Sequence, residues 1–150
     1  MSMANLAGKK GKPLKVNGGG FHVDDVVRVA REYAPVSIDP EATARVTRSR
    51  EMLEKLVECE AVCYGITTGF GRFSDVHISR NDALELQKNL IASHAAAVGD
   101  PLPEDVVRAA LLLRINALAR GCSGVRPLLI ERLIDMLNKG VVPLIPEQGS

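Results

Sequence analysis

The chain has 150 residues, enough for one ordinary domain or part of a larger one, and 46% of them are hydrophobic, enough to bury a core. Its 19 Lys and Arg stand against 18 Asp and Glu, a formal charge of +1, so electrostatics gives no reason to expect nucleic acid or an anionic membrane as partner. Aromatic residues make up 3% and Trp is absent, which argues against surfaces that stack bases or sugars.

Residues 1–20 are Lys- and Gly-rich, ending in Gly18-Gly19-Gly20, and show neither helical nor strand period; they read as a flexible tail. From His22 the pattern turns helical. Asp24 and Asp25 suit a helix start, and Val26, Val27, Ala30 and Tyr33 keep to one side until Pro35 stops the run. Asp39-Pro40 supplies an N-cap and a proline at the first helical position, and the apolar steps from Val46 to Val57 carry a second helix to about Glu60. Ala61-Val62-Cys63 reads as extended.

Ser79 and Asp82 resemble a capping box that opens a third helix through Leu84, Leu86, Leu90, Ile91 and Ala95, stopping near Gly99-Asp100-Pro101. Pro103-Glu104-Asp105 begins a fourth, so apolar from Val106 to Leu118 that it wants to be surrounded, and Gly121 ends it. Pro127 starts a fifth, with Asn138-Lys139-Gly140 as its exit. Val141 to Pro146 is extended and apolar and looks like the approach to a further element beyond Ser150.

The chain therefore reads as mainly α, with a tail over 1–20, a helical portion over 21–150, no repeats and no βα alternation. Cys59, Cys63 and Cys122 are an odd number, and no apolar leader segment precedes them, as in a reduced, cytoplasmic protein. Cys59 and Cys63 could share a helix face but lack the partners of a metal site, so no metal is expected. No run is long enough to span a bilayer.

Between the second and third helices lies Tyr64-Gly65-Ile66-Thr67-Thr68-Gly69-Phe70-Gly71, one phenol and two hydroxyls on a backbone loosened by three glycines. It reads either as a plain turn or as a binding loop. The Gly-Lys-Ser/Thr ending of a P-loop is missing, and the glycine spacing does not fit a dinucleotide fold. On the third helix, Ser93-His94 sits on an otherwise apolar side through Leu86, Leu90 and Ala97. A lone histidine there is either a satisfied core residue or a ligand contact. Asn116, Ser123 and Arg126 read as helix-end hydrogen bonders, and His22 and His77 as surface residues.

Four segments in order carry a family likeness: the Tyr64–Gly71 loop; Leu86 to Gly99 (Leu-Gln-Lys-Asn-Leu-Ile-Ala-Ser-His-Ala-Ala-Ala-Val-Gly); Leu113 to Pro127 (Leu-Arg-Ile-Asn-Ala-Leu-Ala-Arg-Gly-Cys-Ser-Gly-Val-Arg-Pro); and Pro143 to Ser150 (Pro-Leu-Ile-Pro-Glu-Gln-Gly-Ser). Together they resemble the aromatic amino acid ammonia-lyases, nearest to the histidine-specific branch, from about Val23 onward. The resemblance implies the N-terminal part of the helical fold shared with aspartases and fumarases, in a homotetramer. It also implies a prosthetic methylidene-imidazolone (MIO) made from an Ala-Ser-Gly tripeptide expected just after Ser150, and a small aromatic or imidazole L-amino acid as substrate. By the same resemblance Tyr64 is the acid/base, His94 reads the substrate side chain, and Ser93, Leu90 and Gly71 line the substrate. A free phenol loses its proton near pH 10, so a tyrosine that takes a weakly acidic β-proton needs help from hydrogen bonds or positive potential.

L-histidine to trans-urocanate and ammonia is the reaction the likeness implies first, supported by Gly71 to Ile78 (Gly-Arg-Phe-Ser-Asp-Val-His-Ile), which resembles bacterial histidine lyases. Thr67 departs from the pattern, because histidine-type members usually carry Asn there. Thr-Thr is commoner in phenylalanine and tyrosine lyases and the related 2,3-aminomutases, which stay open as alternatives. A truncated, non-catalytic helical interaction module is the non-enzymic alternative, and these 150 residues alone are expected to be inactive.

Overall fold

Runs of Leu, Ala and Val between proline and glycine punctuation fold as helices, and the punctuation marks most of their ends. The structure, a computed structural model, describes residues 12–59, 61–64, 66–68 and 80–149. Among these are five helices, α1 (Val23–Arg31), α2 (Pro40–Glu58), α3 (Arg80–His94), α4 (Glu104–Ala119) and α5 (Pro127–Lys139). Four short strands accompany them: β1 (Leu14–Val16), β2 (Val36–Ile38), β3 (Ala97–Pro101) and β4 (Pro146–Gly149). The fold is mainly α, as expected.

The chain divides into two compact units, one of Met1–Glu51 with Pro101–Ile145 and one of Met52–Asp100 with Pro146–Ser150. In the first, Val16, Val29, Val36, Val46, Leu112, Ile115, Ile130 and Leu137 form a core with small Ala34, Ala42 and Ala119 between them. Full burial stabilises each of the larger side chains by about 1.5–3 kcal/mol. Asp39 caps α2 through Glu41 N–H (2.8 Å), Pro127 opens α5, and Gly140 closes α5 in the left-handed region at φ 67°.

The Lys- and Gly-rich stretch read as a periodless tail contains β1, which pairs in parallel with β2 in the register Leu14↔Val36, Lys15↔Ser37, Val16↔Ile38. With α1 between them this is a βαβ unit, where no βα alternation was expected; strands of three residues are too short to show a period. The remaining edge of β2 is closed by a side chain: Asn138 accepts from Val36 N–H (2.8 Å) and donates to its carbonyl (2.9 Å). A primary amide here stands in for a third strand.

Asn116 also departs from its expected role. It lies inside α4 and accepts from Gly18 N–H (3.0 Å) while donating to Gly19 carbonyl (2.6 Å), so it clasps the turn after β1 instead of ending a helix. Gly18 has φ +80°, and a Cβ there would lie 2.8 Å from Arg120 N, so only glycine fits. Tyr33 leaves the first helix, which ends at Arg31, and takes φ 56°.

The most buried polar side chain of the first unit is Arg108, 1% exposed. Its guanidinium donates to the carbonyls of Val29 (2.8 Å) and Ala30 (3.2 Å) in the last turn of α1, and to Leu137 (3.1 Å) in the last turn of α5. A positive charge at two helix C-termini meets carbonyls of their last turns, of which Leu137 also accepts from Gly140 N–H (3.3 Å), and their negative dipole ends. The Tyr33 ring covers it at 4.1 Å, and the Tyr33 hydroxyl donates to Glu104, which raises the phenol pKa above its ordinary value. Desolvation pushes the Arg108 pKa down from its usual high value.

The rest of α4 meets half of its expectation. Val107, Leu112, Ile115, Leu118 and Ala119 are buried, but Val106, Ala110, Leu113 and Ala117, spaced by four, three and four residues, form an exposed apolar row.

Candidate functional site

The residues singled out for chemistry fall in the second unit. Its loop has no regular structure at Ala61–Cys63, where an extended run was expected, and then turns. Cys63 carbonyl accepts from both Ile66 N–H (3.1 Å) and Thr67 N–H (3.0 Å). The Thr67 hydroxyl closes the turn: it accepts from Cys63 N–H (2.8 Å) and donates to Ala61 carbonyl (2.5 Å). Thr67 and Thr68 are buried at 7% and 2%, and the same turn leaves Tyr64 66% exposed. The loop is therefore sprung inward on its hydroxyls and outward on its phenol. Thr67, which the sequence marked only as a departure from the histidine-type pattern, is the anchor of the turn that carries Tyr64. The Thr side chain four positions after Cys63 was the available signal, since short hydroxyl side chains commonly bond nearby backbone in turns.

α3 ends at His94, with Ala95 N–H donating to Ile91 carbonyl (2.9 Å) as the last bond. The expected helix through Ala95 gives way to β3, which pairs with β4; Ala97 therefore belongs to a strand and not to the face shared by Leu86 and Leu90. Ser93 and His94 are exposed and Leu90 is half-buried, so His94 is not a satisfied core histidine in this chain. The three meet at one carbonyl. His94 Nδ1 lies 2.9 Å from Leu90 O and 3.0 Å from Ser93 Oγ, and Ser93 Oγ lies 2.9 Å from Leu90 O.

Of the expected site residues, the structure thus brings Leu90, Ser93 and His94 together in one helical turn and sets Tyr64 on the loop of the same unit. Gly71, the expected capping Ser79, His77 and Ser150 lie outside the described residues. Among the described residues no group of three or more His, Cys, Asp or Glu is gathered as a metal site, and no helix is long and apolar enough to cross a membrane. Ser123 is exposed, and Arg126 precedes α5 without a side-chain cap bond.

Chemically, the unit offers one accessible phenol for proton transfer and one imidazole with a ring nitrogen anchored to backbone, a set suited to handling an amino acid's acidic carbon and its side chain. The chain is 57% identical over 139 residues to the histidine ammonia-lyase of Alkaliphilus metalliredigens, an alignment covering 93% of this chain and 27% of that protein. Among solved structures, the tyrosine aminomutase of Streptomyces globisporus superposes with a TM-score of 0.87 at 42% identity, over 93% of this chain and 26% of that one. The histidine ammonia-lyase of Trypanosoma cruzi superposes at 0.83 with 38% identity, over 93% and 27%. The chain thus spans about a quarter of the length of the relatives it matches. The family model for aromatic amino acid lyases matches residues 21–150, nearly the whole of the described sequence, and the chain belongs to the aromatic amino acid lyase family.

Proposed function

We propose that this chain is the N-terminal part of an MIO-dependent ammonia-lyase that converts L-histidine to trans-urocanate and ammonia, with residues 1–20 outside its catalytic part and 21–150 forming its opening helical portion. The observation that carries the reading is the outward phenol: Tyr64 is 66% exposed on a turn whose neighbouring hydroxyls are buried. A phenol sealed in a core could not reach a substrate carbon; this one stands where a ligand can meet it.

The prosthetic group is expected to supply the electrophile that makes the amine leave. No Ala-Ser-Gly tripeptide occurs in the 150 residues, so no residue of this chain forms the group. The chain's own part is proton transfer and recognition. Tyr64 Oη, as phenolate, takes the β-proton of the bound amino acid and holds it as the neutral phenol. His94 exchanges a hydrogen bond with the substrate side chain, with Leu90, Ser93 and Gly71 beside it. We further propose that the full-length enzyme is a cytoplasmic homotetramer without a metal.

A second reading rests on Thr67. The Thr-Thr pair and the likeness to a tyrosine aminomutase favour a tyrosine or phenylalanine lyase, or a 2,3-aminomutase, on the same scaffold. Incubating the full-length protein separately with L-histidine, L-tyrosine and L-phenylalanine separates the readings: urocanate is the expected fastest product. Faster coumarate, cinnamate or β-amino acid hands the function to the second reading, and no product from any of the three removes the lyase altogether. Tyr64→Phe is expected to cut turnover by orders of magnitude while leaving the absorbance of the prosthetic group in place.

A further inference from the structure

The bonds around Leu90 carbonyl fix more than the position of His94. A carbonyl oxygen can only accept, so a ring nitrogen 2.9 Å from it must carry a proton; two lone pairs facing each other at that distance would repel. Ser93 has one hydroxyl proton, and its oxygen also lies 2.9 Å from the same carbonyl, so that proton goes to Leu90 O. Towards His94 Nδ1, 3.0 Å away, Ser93 Oγ is then left as an acceptor. Both neighbours of Nδ1 ask for the same thing. In the neutral imidazole one nitrogen donates and the other accepts, so a proton held on Nδ1 leaves a lone pair on Nε2.

We propose that Ser93 and the Leu90 carbonyl hold His94 as its Nδ1–H tautomer, which leaves Nε2 as a hydrogen-bond acceptor for the substrate side chain. Ser93 is in this sense a positioning residue: it acts on the substrate through His94. The inference rests on the reading of His94 as the side-chain contact. An imidazole N–H or a phenol O–H satisfies an accepting Nε2, whereas a phenyl ring leaves it unpaired once water is excluded.

The test uses the full-length protein labelled with 15N-histidine, the His94 signals being assigned by their loss in His94→Gln. The expected result is a proton bound to Nδ1 and an unprotonated Nε2; a proton on Nε2 overturns the proposal. Steady-state kinetics with L-histidine form the second arm. Ser93→Ala is expected to raise KM by about 2- to 12-fold, the factor of one hydrogen bond, with kcat near the parent value, and Ser93→Thr, which keeps the hydroxyl, to restore it. Equal effects of Ala and Thr, or a change in kcat alone, overturn the role of Ser93. If the parent protein makes no urocanate, the functional reading fails while the nitrogen spectrum still decides the tautomer.

Discussion

Replacing Thr67 with Val exchanges a hydroxyl for a methyl at nearly constant shape, so it isolates the two bonds that close the Tyr64 turn. Cys63 N–H then loses its acceptor at 2.8 Å, and Ala61 carbonyl loses its donor. A buried polar group left without a partner costs roughly 1–3 kcal/mol. Ala61 and Cys63 are only half-buried, so water compensates in part and the lower end applies to each, together about 2 kcal/mol. At 1.4 kcal/mol per factor of ten, the turn opens about 30-fold more often. Amide hydrogen exchange of the peptide containing Cys63, measured on the full-length protein, reads this directly. Thr67→Val is expected to exchange about 30-fold faster there and to lose turnover with it, while Thr67→Ser keeps the hydroxyl and recovers both. Unchanged exchange in the Val variant would refute the idea that this hydroxyl holds the loop.

Arg108→Met is expected to cost roughly 2–5 kcal/mol, because it strands the carbonyls of Val29 and Ala30 inside the first unit and takes one of two donors from Leu137; chemical denaturation of the full-length protein measures it, and Arg108→Lys should recover only part, since one ammonium cannot span both helix ends. Gly18→Ala should destabilise by more than about 1 kcal/mol, whereas Gly20→Ala, whose Cβ would meet nothing within 4 Å, should be near neutral in the same thermal melt. The hydrogen bond from Arg31 Nε holds the Asp105 carboxyl below its ordinary 3.8, so the unfolded chain binds the proton more readily. That stabilisation is present above pH 3.8 and fades as the pH falls through the lower folded value, and Asp105→Asn should flatten this acid limb of the stability curve. Tyr33 behaves oppositely: its hydrogen bond to Glu104 raises the phenol above 10, so its contribution holds below that pH and is lost as the pH rises through the folded value.

Helices were legible where apolar period and punctuation agree, as at Asp39-Pro40, Pro127 and Gly140, because proline and glycine act through the local backbone alone. The strands were not. β1 and β2 have three residues each and exist because they pair with one another and with Asn138, a partner about a hundred positions away. Tyr64 and His94 stood out as residue types in unusual settings, but the part played by Thr67 and Leu90 carbonyl depends on distances that only folding creates. Asn116 was misread for the same reason: an amide near a helix end in sequence turned out to serve a turn from the other end of the unit.

Arg108 binds two places that translation produces far apart, so its one side chain ties the last turn of α1 to the last turn of α5. Two distant helix ends are thereby coupled through one side chain that the proposed proton transfer does not use. A survey that scored only lost activity would rank this arginine beside Tyr64. A folding readout alone would tell the keystone from the tool.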